Sequence, residues 1–177
     1  MTNKETACVH YYYGDGKGKS TAAFGLCLRA SGAGKRVVVT QFLKGAPYAE
    51  LESFARLGIP VHQTSSVRKF IFQMDEAERA AAKADCERVF EIAREAAASG
   101  DWDVVVLDEV TDAVACGMLE ESALLSLLET RAPQTELVLT GHAPNKAVVD
   151  GADYVTEMKK QKHPYDRGLM ARPGIEY

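Results

Sequence analysis

The chain has 177 residues, 46% of them apolar and 26% charged, which is the make-up of one globular domain, expected to span residues 1–177, rather than of a disordered or low-complexity chain. The net charge of −4, from 21 Lys and Arg against 25 Asp and Glu, argues against a general nucleic-acid binder. No apolar run approaches the roughly 20 residues that span a bilayer, and Met1–Thr6 is polar with no apolar stretch behind it, so neither a membrane partner nor a signal peptide is expected.

The predicted elements alternate. Cys8–Tyr13 is a short aromatic strand that ends at a glycine-rich turn. Ser20–Ala33 has helical spacing, with Ala23, Leu26, Cys27 and Ala30 on one face, and Gly32 and Gly34 close it. Arg36–Phe42 is a buried strand, Ala49–Leu57 a short helix closed by Gly58, and Val61–Thr64 a small strand. Ser65–Met74 has no regular period. Asp75–Ser99 is the longest helix, with Asp75 as N-cap, Glu78 completing a capping box, and Val89, Phe90, Ala93 and Ala96 or Ala97 on the buried face. Asp103–Leu107 is a second β-branched run. Glu120–Thr130 is a helix, Glu136–Thr140 a strand, Asn145–Asp150 a helix and Asp153–Met158 a strand. Continuous apolar strands separated by helices predict an α/β fold with a mostly parallel central sheet covered on both faces.

The four cysteines (Cys8, Cys27, Cys86, Cys116) show no C-x-x-C spacing and lie in apolar stretches, so they read as small hydrophobes in a reducing, cytoplasmic compartment. From Lys159 to Tyr177 there are five basic and two acidic side chains. That segment is either a solvated basic tail or a face turned to an anionic ligand.

Gly14-Asp15-Gly16-Lys17-Gly18-Lys19-Ser20-Thr21 approaches the phosphate-loop pattern G-x-x-x-x-G-K-[ST], with Tyr13 where its first glycine belongs. Gly14 and Gly16 still allow the backbone to turn its amides inward. The helix that starts near Lys19 adds its positive end, Lys19 adds a point charge, and the Ser20 hydroxyl is a candidate Mg²⁺ ligand. The bland alternative is a structural glycine turn. Against it, Val104–Leu107 delivers two acids, Asp108 and Glu109, where an open parallel sheet collects its ligands. Asp108 as a simple turn cap is the plain reading of that pair. If ATP is hydrolysed, Glu109 polarises water; if another group is transferred, it is a metal ligand. These residues alone leave ATPase, kinase and nucleotidyl- or alkyl-transferase open.

Gly14–Gly25, Gln41-Phe42-Leu43-Lys44-Gly45, Leu107–Thr111, Thr140-Gly141, Ala152–Met158, Lys162-His163-Pro164-Tyr165-Asp166-Arg167-Gly168 and Gly174–Tyr177 occur in this order. Together they resemble the ATP:corrinoid adenosyltransferases of the CobA type over nearly the whole chain. The resemblance implies a RecA-like P-loop fold, usually a homodimer. It implies transfer of the 5′-deoxyadenosyl group of ATP to Co(I) of a corrinoid, cob(I)alamin or cobinamide, with triphosphate leaving. By the same resemblance Lys19, Ser20, Thr21 and the amides of Gly14, Gly16 and Gly18 hold the triphosphate. Asp15 and Lys17 lie where the family's loop meets nucleotide, and Ser20 and Glu109 take Mg²⁺ or Mn²⁺. A corrinoid reductase such as a flavoprotein is the implied partner. A Co(I) nucleophile needs no protein base, so the absence of a Ser/His/Asp or Cys/His set is expected.

Phe70-Ile71-Phe72 has two readings. One is core packing at period two. The other, implied by the family, is an aromatic pair, Phe70 and Phe72, that displaces the lower axial ligand of cob(II)alamin, with Phe72 where the family has Trp. His142 follows Thr140-Gly141 where the family often has Arg, so a phosphate or ribose contact there becomes titratable. His10 and His62 read as structural or exposed, with His142 and His163 set apart by position. Some members carry a longer N-terminal segment over the corrinoid; the dozen or so residues ahead of this loop imply a looser hold. The rival readings are a RecA-like P-loop ATPase or small-molecule kinase, and a nucleotide-gated binding module.

Overall fold

A computed structural model of the chain describes residues 7–45, 48–67, 69 and 71–176. Six strands form one sheet: β1 (Val9–Tyr13), β2 (Val37–Gln41), β3 (Val61–Gln63), β4 (Val104–Asp108), β5 (Glu136–Gly141) and β6 (Tyr154–Glu157). Their order is β3-β2-β4-β5-β1-β6, and every pairing is parallel. The helices are α1 (Lys19–Gly32), α2 (Ala49–Arg56), α3 (Glu76–Ser99), α4 (Val110–Ala115), α5 (Glu121–Thr130) and α6 (Lys146–Gly151). Single 3₁₀ turns stand at Ile71–Gln73 and Pro164–Arg167.

The strands read as unbroken apolar runs because both faces are buried. Val38, Val105, Leu107, Leu137 and Leu139 pack with α3, α5 and α6 on one side. Val37, Val39, Val104, Val106 and Val138 pack with Ala23, Cys27 and Ala30 of α1 and Phe54 of α2 on the other. α3 turns Ala82, Cys86, Val89, Phe90, Ala93, Ala96 and Ala97 to the sheet, the stripe expected of an amphipathic helix. Its capping box is formed: the Glu78 amide donates to Asp75 and the Asp75 amide to Glu78, both at 2.9 Å. Gly100 ends it at φ 73°.

The predicted boundaries shift by one or two residues at most elements. The helix α4 has no sequence counterpart, because six residues are too few to show a period. The strict loop pattern fails at Tyr13 for a visible reason. Tyr13 is the last residue of β1, stacked on Tyr11 at 5.2 Å, and the turn begins one residue later. Gly14 takes φ 121°, and a Cβ there would lie 2.3 Å from the Met158 carbonyl oxygen.

A parallel sheet sends all its strand C-termini to one edge. The loops after β1, β2, β4, β5 and β6 therefore meet there. β5 stands between β4 and β1, so Thr140 and Gly141 separate the acidic pair from the phosphate loop.

Candidate active site

Gly14–Gly18 forms the glycine-rich turn between β1 and α1, the candidate phosphate loop. Its Gly14 amide donates to the His142 carbonyl at 2.9 Å and its Gly16 amide to that of Met158 at 2.7 Å. Lys19 folds back over the loop, donating to the Gly14 carbonyl at 2.7 Å and the Gly16 carbonyl at 2.9 Å. Burial pulls its pKa down, against the attraction of Asp112, Glu109, Asp15 and Asp108. α1 starts without a side-chain cap, so its first amides keep the donor capacity that a phosphate uses.

Asp108 is the hub. It is fully buried. Its Oδ1 accepts from the Ser20 hydroxyl at 2.7 Å and the Thr140 hydroxyl at 2.8 Å. Its Oδ2 accepts from Lys44 Nζ at 2.5 Å and Gln41 Nε2 at 3.3 Å. Four donors fill the lone-pair sites of one carboxylate. Asp108 is therefore more than the turn cap of the plain reading, and it has no site left for a metal ion. Glu109 does: its side chain is one-quarter exposed and lies 3.4 Å from Lys44 Nζ. Its backbone sits at φ 63°, in the left-handed region that a non-glycine residue rarely takes. The Glu109 amide donates to Thr140 Oγ1 at 2.8 Å, which holds that turn. Burial raises the Glu109 pKa, as do Asp108 and Asp112, and Lys44 opposes them.

A cavity of about 660 Å³ opens beside this cluster, with Ser20, Phe24, Lys44, Tyr48, Glu109 and Glu176 in its wall. A second, of about 420 Å³, lies across the phosphate loop beside Asp15, His142, Lys159 and Lys160. Asp15 accepts the Lys160 amide at 2.9 Å and so ties the tail to the loop. That amide, more than any other partner, depresses its pKa. Among the described residues, three of the tail's five basic side chains are ion-paired: Lys160 with Asp166 and Arg172 with Glu176 inside it, and Lys159 with Glu157 of β6. His142 Nδ1 lies 2.9 Å from Asp112 Oδ2, and this bond, against the cost of burial, raises the His142 pKa. His10 is bound to Glu136 at 2.7 Å, a structural placement.

Phe72 is 79% exposed, which excludes the period-two core reading for it; Ile71 beside it is half-buried against the core. Phe70 lies outside the described residues. The segment carrying Phe72 is tethered by Asp85, whose Oδ2 accepts the amides of Ser65 at 2.5 Å and Ser66 at 2.9 Å.

The structure thus brings Lys19, Ser20, Thr21 and Glu109 to one edge; His142 follows β5 at that same edge and lines the second cavity. The sequence reading had assigned no role to Lys44, Gln41, Thr140 or Asp112. Lys44 and Gln41 stood inside Gln41–Gly45, and Thr140 beside Gly141, as signatures of family only. Their roles depend on contacts 31 to 67 residues away in sequence, beyond the reach of local pattern.

Fold and edge define an α/β domain of the P-loop type, with a glycine-rich turn and an acidic pair at the C-terminal edge of its sheet. Two solved structures share the fold: ATPases 2 and 3 of EssC from Geobacillus thermodenitrificans (TM-score 0.51, 14% identity, 97% of this chain and 35% of that one) and the ATPase EscN of the enteropathogenic E. coli type III secretion system (0.54, 15%, 92% and 45%). At such identities they speak to fold alone. Residues 5–177 match the family described as ATP:corrinoid adenosyltransferase BtuR/CobO/CobP. The chain is 34% identical to the corrinoid adenosyltransferase of Escherichia coli K12 over 98% of its length and 87% of that protein's. It is 36% identical to that of Pseudomonas aeruginosa (98% and 85%) and 35% identical to corrinoid adenosyltransferase CobA of Salmonella typhimurium (100% and 89%). The chain belongs to the ATP:corrinoid adenosyltransferase family, a family of transferases that adenosylate corrinoids with ATP. The ATPase or kinase reading is not favoured. No helix among the described residues is long and apolar enough to cross a membrane.

Proposed function

We propose that the chain, acting as one domain over residues 1–177, joins C5′ of ATP to Co(I) of a corrinoid, cob(I)alamin or cobinamide. The cobalt electron pair forms the Co–C bond, the C5′–O bond breaks, and its electrons leave on triphosphate. The observation that carries this reading is the 660 Å³ cavity running from Ser20 past Phe24 and Tyr48 to the tail, within the range of sites that enclose small ligands. Phosphates at the loop leave the nucleoside room between those aromatic rings.

Lys19, the helix start and the amides of Lys17 to Thr21 hold the triphosphate in this reading, and Gly14, Gly16 and Gly18 give the loop its shape. Lys19 releases its loop carbonyls to meet the leaving group. Ser20 and Glu109 suit Mg²⁺ or Mn²⁺: both offer oxygen, and the Ser20 hydroxyl keeps its lone pairs while its proton is held by Asp108. Two protein oxygens suffice for an ion that keeps waters and takes phosphate oxygens. When bound, it neutralises charge on the triphosphate. His142, ion-paired to Asp112, serves as an anion contact at the second cavity. Phe70 and Phe72 displace the lower axial ligand of cob(II)alamin, and the exposure of Phe72 suits a ring offered to a large ligand. The same reading includes a homodimer, a flavoprotein-like reductase and a cytoplasmic setting; four cysteines without a disulfide agree with the last.

Anion-exchange separation of products, with and without chemically reduced corrinoid, tests the proposal. Triphosphate equimolar with alkylated corrinoid is expected, with little ADP when corrinoid is withheld. Dominant ADP that is indifferent to corrinoid overturns it.

A further inference from the structure

Lys44 is the one buried lysine among the described residues, 6% exposed. Its position is fixed through the backbone as well as the side chain. Leu43 before it turns at φ 56°. The Lys44 amide donates to Thr64 Oγ1 at 3.1 Å, and the same hydroxyl donates to the Lys44 carbonyl at 3.0 Å. Gly45 after it lies so close to the next segment that a Cβ would stand 2.2 Å from the Val67 carbonyl oxygen. The ammonium is thereby delivered between two carboxylates, 2.5 Å from Asp108 and 3.4 Å from Glu109. The rings of Phe24 and Tyr48 lie 5.9 and 5.2 Å from it and add cation–π attraction.

The two adjacent carboxylates supply the negative charge that draws a hard divalent cation, with Glu109 and the Ser20 hydroxyl as its open oxygen donors. Here a protein cation already lies between the two carboxylates. From this geometry we propose that Lys44 is an internal counter-cation. It neutralises the Asp108–Glu109 pair in the nucleotide-free protein and so makes entry of a divalent ion conditional on the phosphate oxygens that arrive with ATP. Lys44 acts through the two carboxylates and is a positioning residue. The inference rests on the proposed metal role of Glu109. It assigns that role a gate: free metal meets a site whose charge is already balanced, whereas metal carried on a triphosphate brings its own anion.

Mn²⁺ binding to the full nucleotide-free chain, followed by electron paramagnetic resonance at neutral pH, tests it. The wild type is expected to bind Mn²⁺ only in the millimolar range. Lys44→Gln keeps a donor for Asp108 but removes the charge, and should bind one Mn²⁺ about tenfold tighter or more, since an unscreened charge at these distances is worth at least that. Lys44→Arg should behave as wild type, and K44Q with E109Q should lose the gained site. A tight Mn²⁺ site in nucleotide-free wild type that E109Q removes overturns the proposal, as does folded K44Q with no gain over wild type. Lys44→Met, read the same way, takes the place of K44Q if that variant does not fold. The reading beneath it fails separately. If E109Q leaves the Mn²⁺ signal of the wild-type ATP complex unchanged, Glu109 is not a metal ligand, whatever K44Q does.

Discussion

Asp108 at the end of β4 has no exposed surface and four hydrogen-bonding partners, whereas Phe72, between β3 and α3, leaves 79% of its surface in water. The first region is assembled from five residues on four segments of chain whose polar groups satisfy one another. The second is a short turn tied down by Asp85, by Lys69 to Glu78 and by Arg79 to the Ile71 carbonyl, with the Phe72 ring left largely in water. The difference matches two tasks. A small, highly charged triphosphate is bound by donors fixed in advance, because reorganising them during reaction would cost the stabilisation they supply. Under the proposed function, a large corrinoid would meet the exposed ring of Phe72.

The sharpest break in the charged region is Lys19→Ala. Removing one fixed charge from the leaving group costs about 3–4 kcal/mol in the transition state, on the order of 10²–10³ in rate. Turnover at saturating ATP measures it, and near-normal activity excludes the loop as the phosphate site. Glu109→Gln comes next. The Mg²⁺ concentration for half-maximal activity should rise by about 100-fold or more, at or above the upper end of the roughly 10–100-fold cost of losing an outer-sphere partner, with little loss of stability. An unchanged Mg²⁺ dependence removes Glu109 from the metal site.

In the open region the tether is the first target. Burial works against ionised Asp85, but the Ser66 amide, Arg88 and the Ser65 amide outweigh it and lower its pKa from 3.8 to about 2. A carboxylate whose folded pKa is depressed stabilises the protein above its unfolded pKa and loses that contribution as pH falls toward the folded value. Asp85→Asn should therefore cost about 2 kcal/mol at neutral pH, the scale of hydrogen bonds to a charged group. The gap to wild type should narrow between pH 4 and pH 2. Denaturant melts across that range decide it; a constant gap assigns the effect to packing.

Phe72→Ala should change stability least, by less than about 0.5 kcal/mol, because an exposed ring has little packing to lose. Its effect on activity should be split. With cob(II)alamin and a reductant the rate falls sharply; with corrinoid supplied as Co(I) most of it remains. Equal losses in the two assays overturn the axial-displacement role.

The alternation of Val37-Val38-Val39 and Val104-Val105-Val106 with helices was enough to read a parallel sheet, since a strand buried on both faces has no other composition. Gly14–Thr21 was enough to read a glycine turn that opens a helix, because glycine spacing and the lysine that follows are local in sequence. The capping box at Asp75 and Glu78 was legible for the same reason. What the chain alone did not reveal is which of two adjacent acids is free. Asp108 and Glu109 differ only in that one ends the strand and points into Ser20, Lys44, Gln41 and Thr140, while the next turns into the left-handed region and faces a cavity. Nor did His142 show its partner, Asp112, 30 residues earlier in sequence. Composition and period report where a residue sits on its own element. The groups that meet at Asp108 belong to four elements at once, α1, β2, β4 and β5, and only the parallel sheet, by sending every strand end to one edge, brings them within reach.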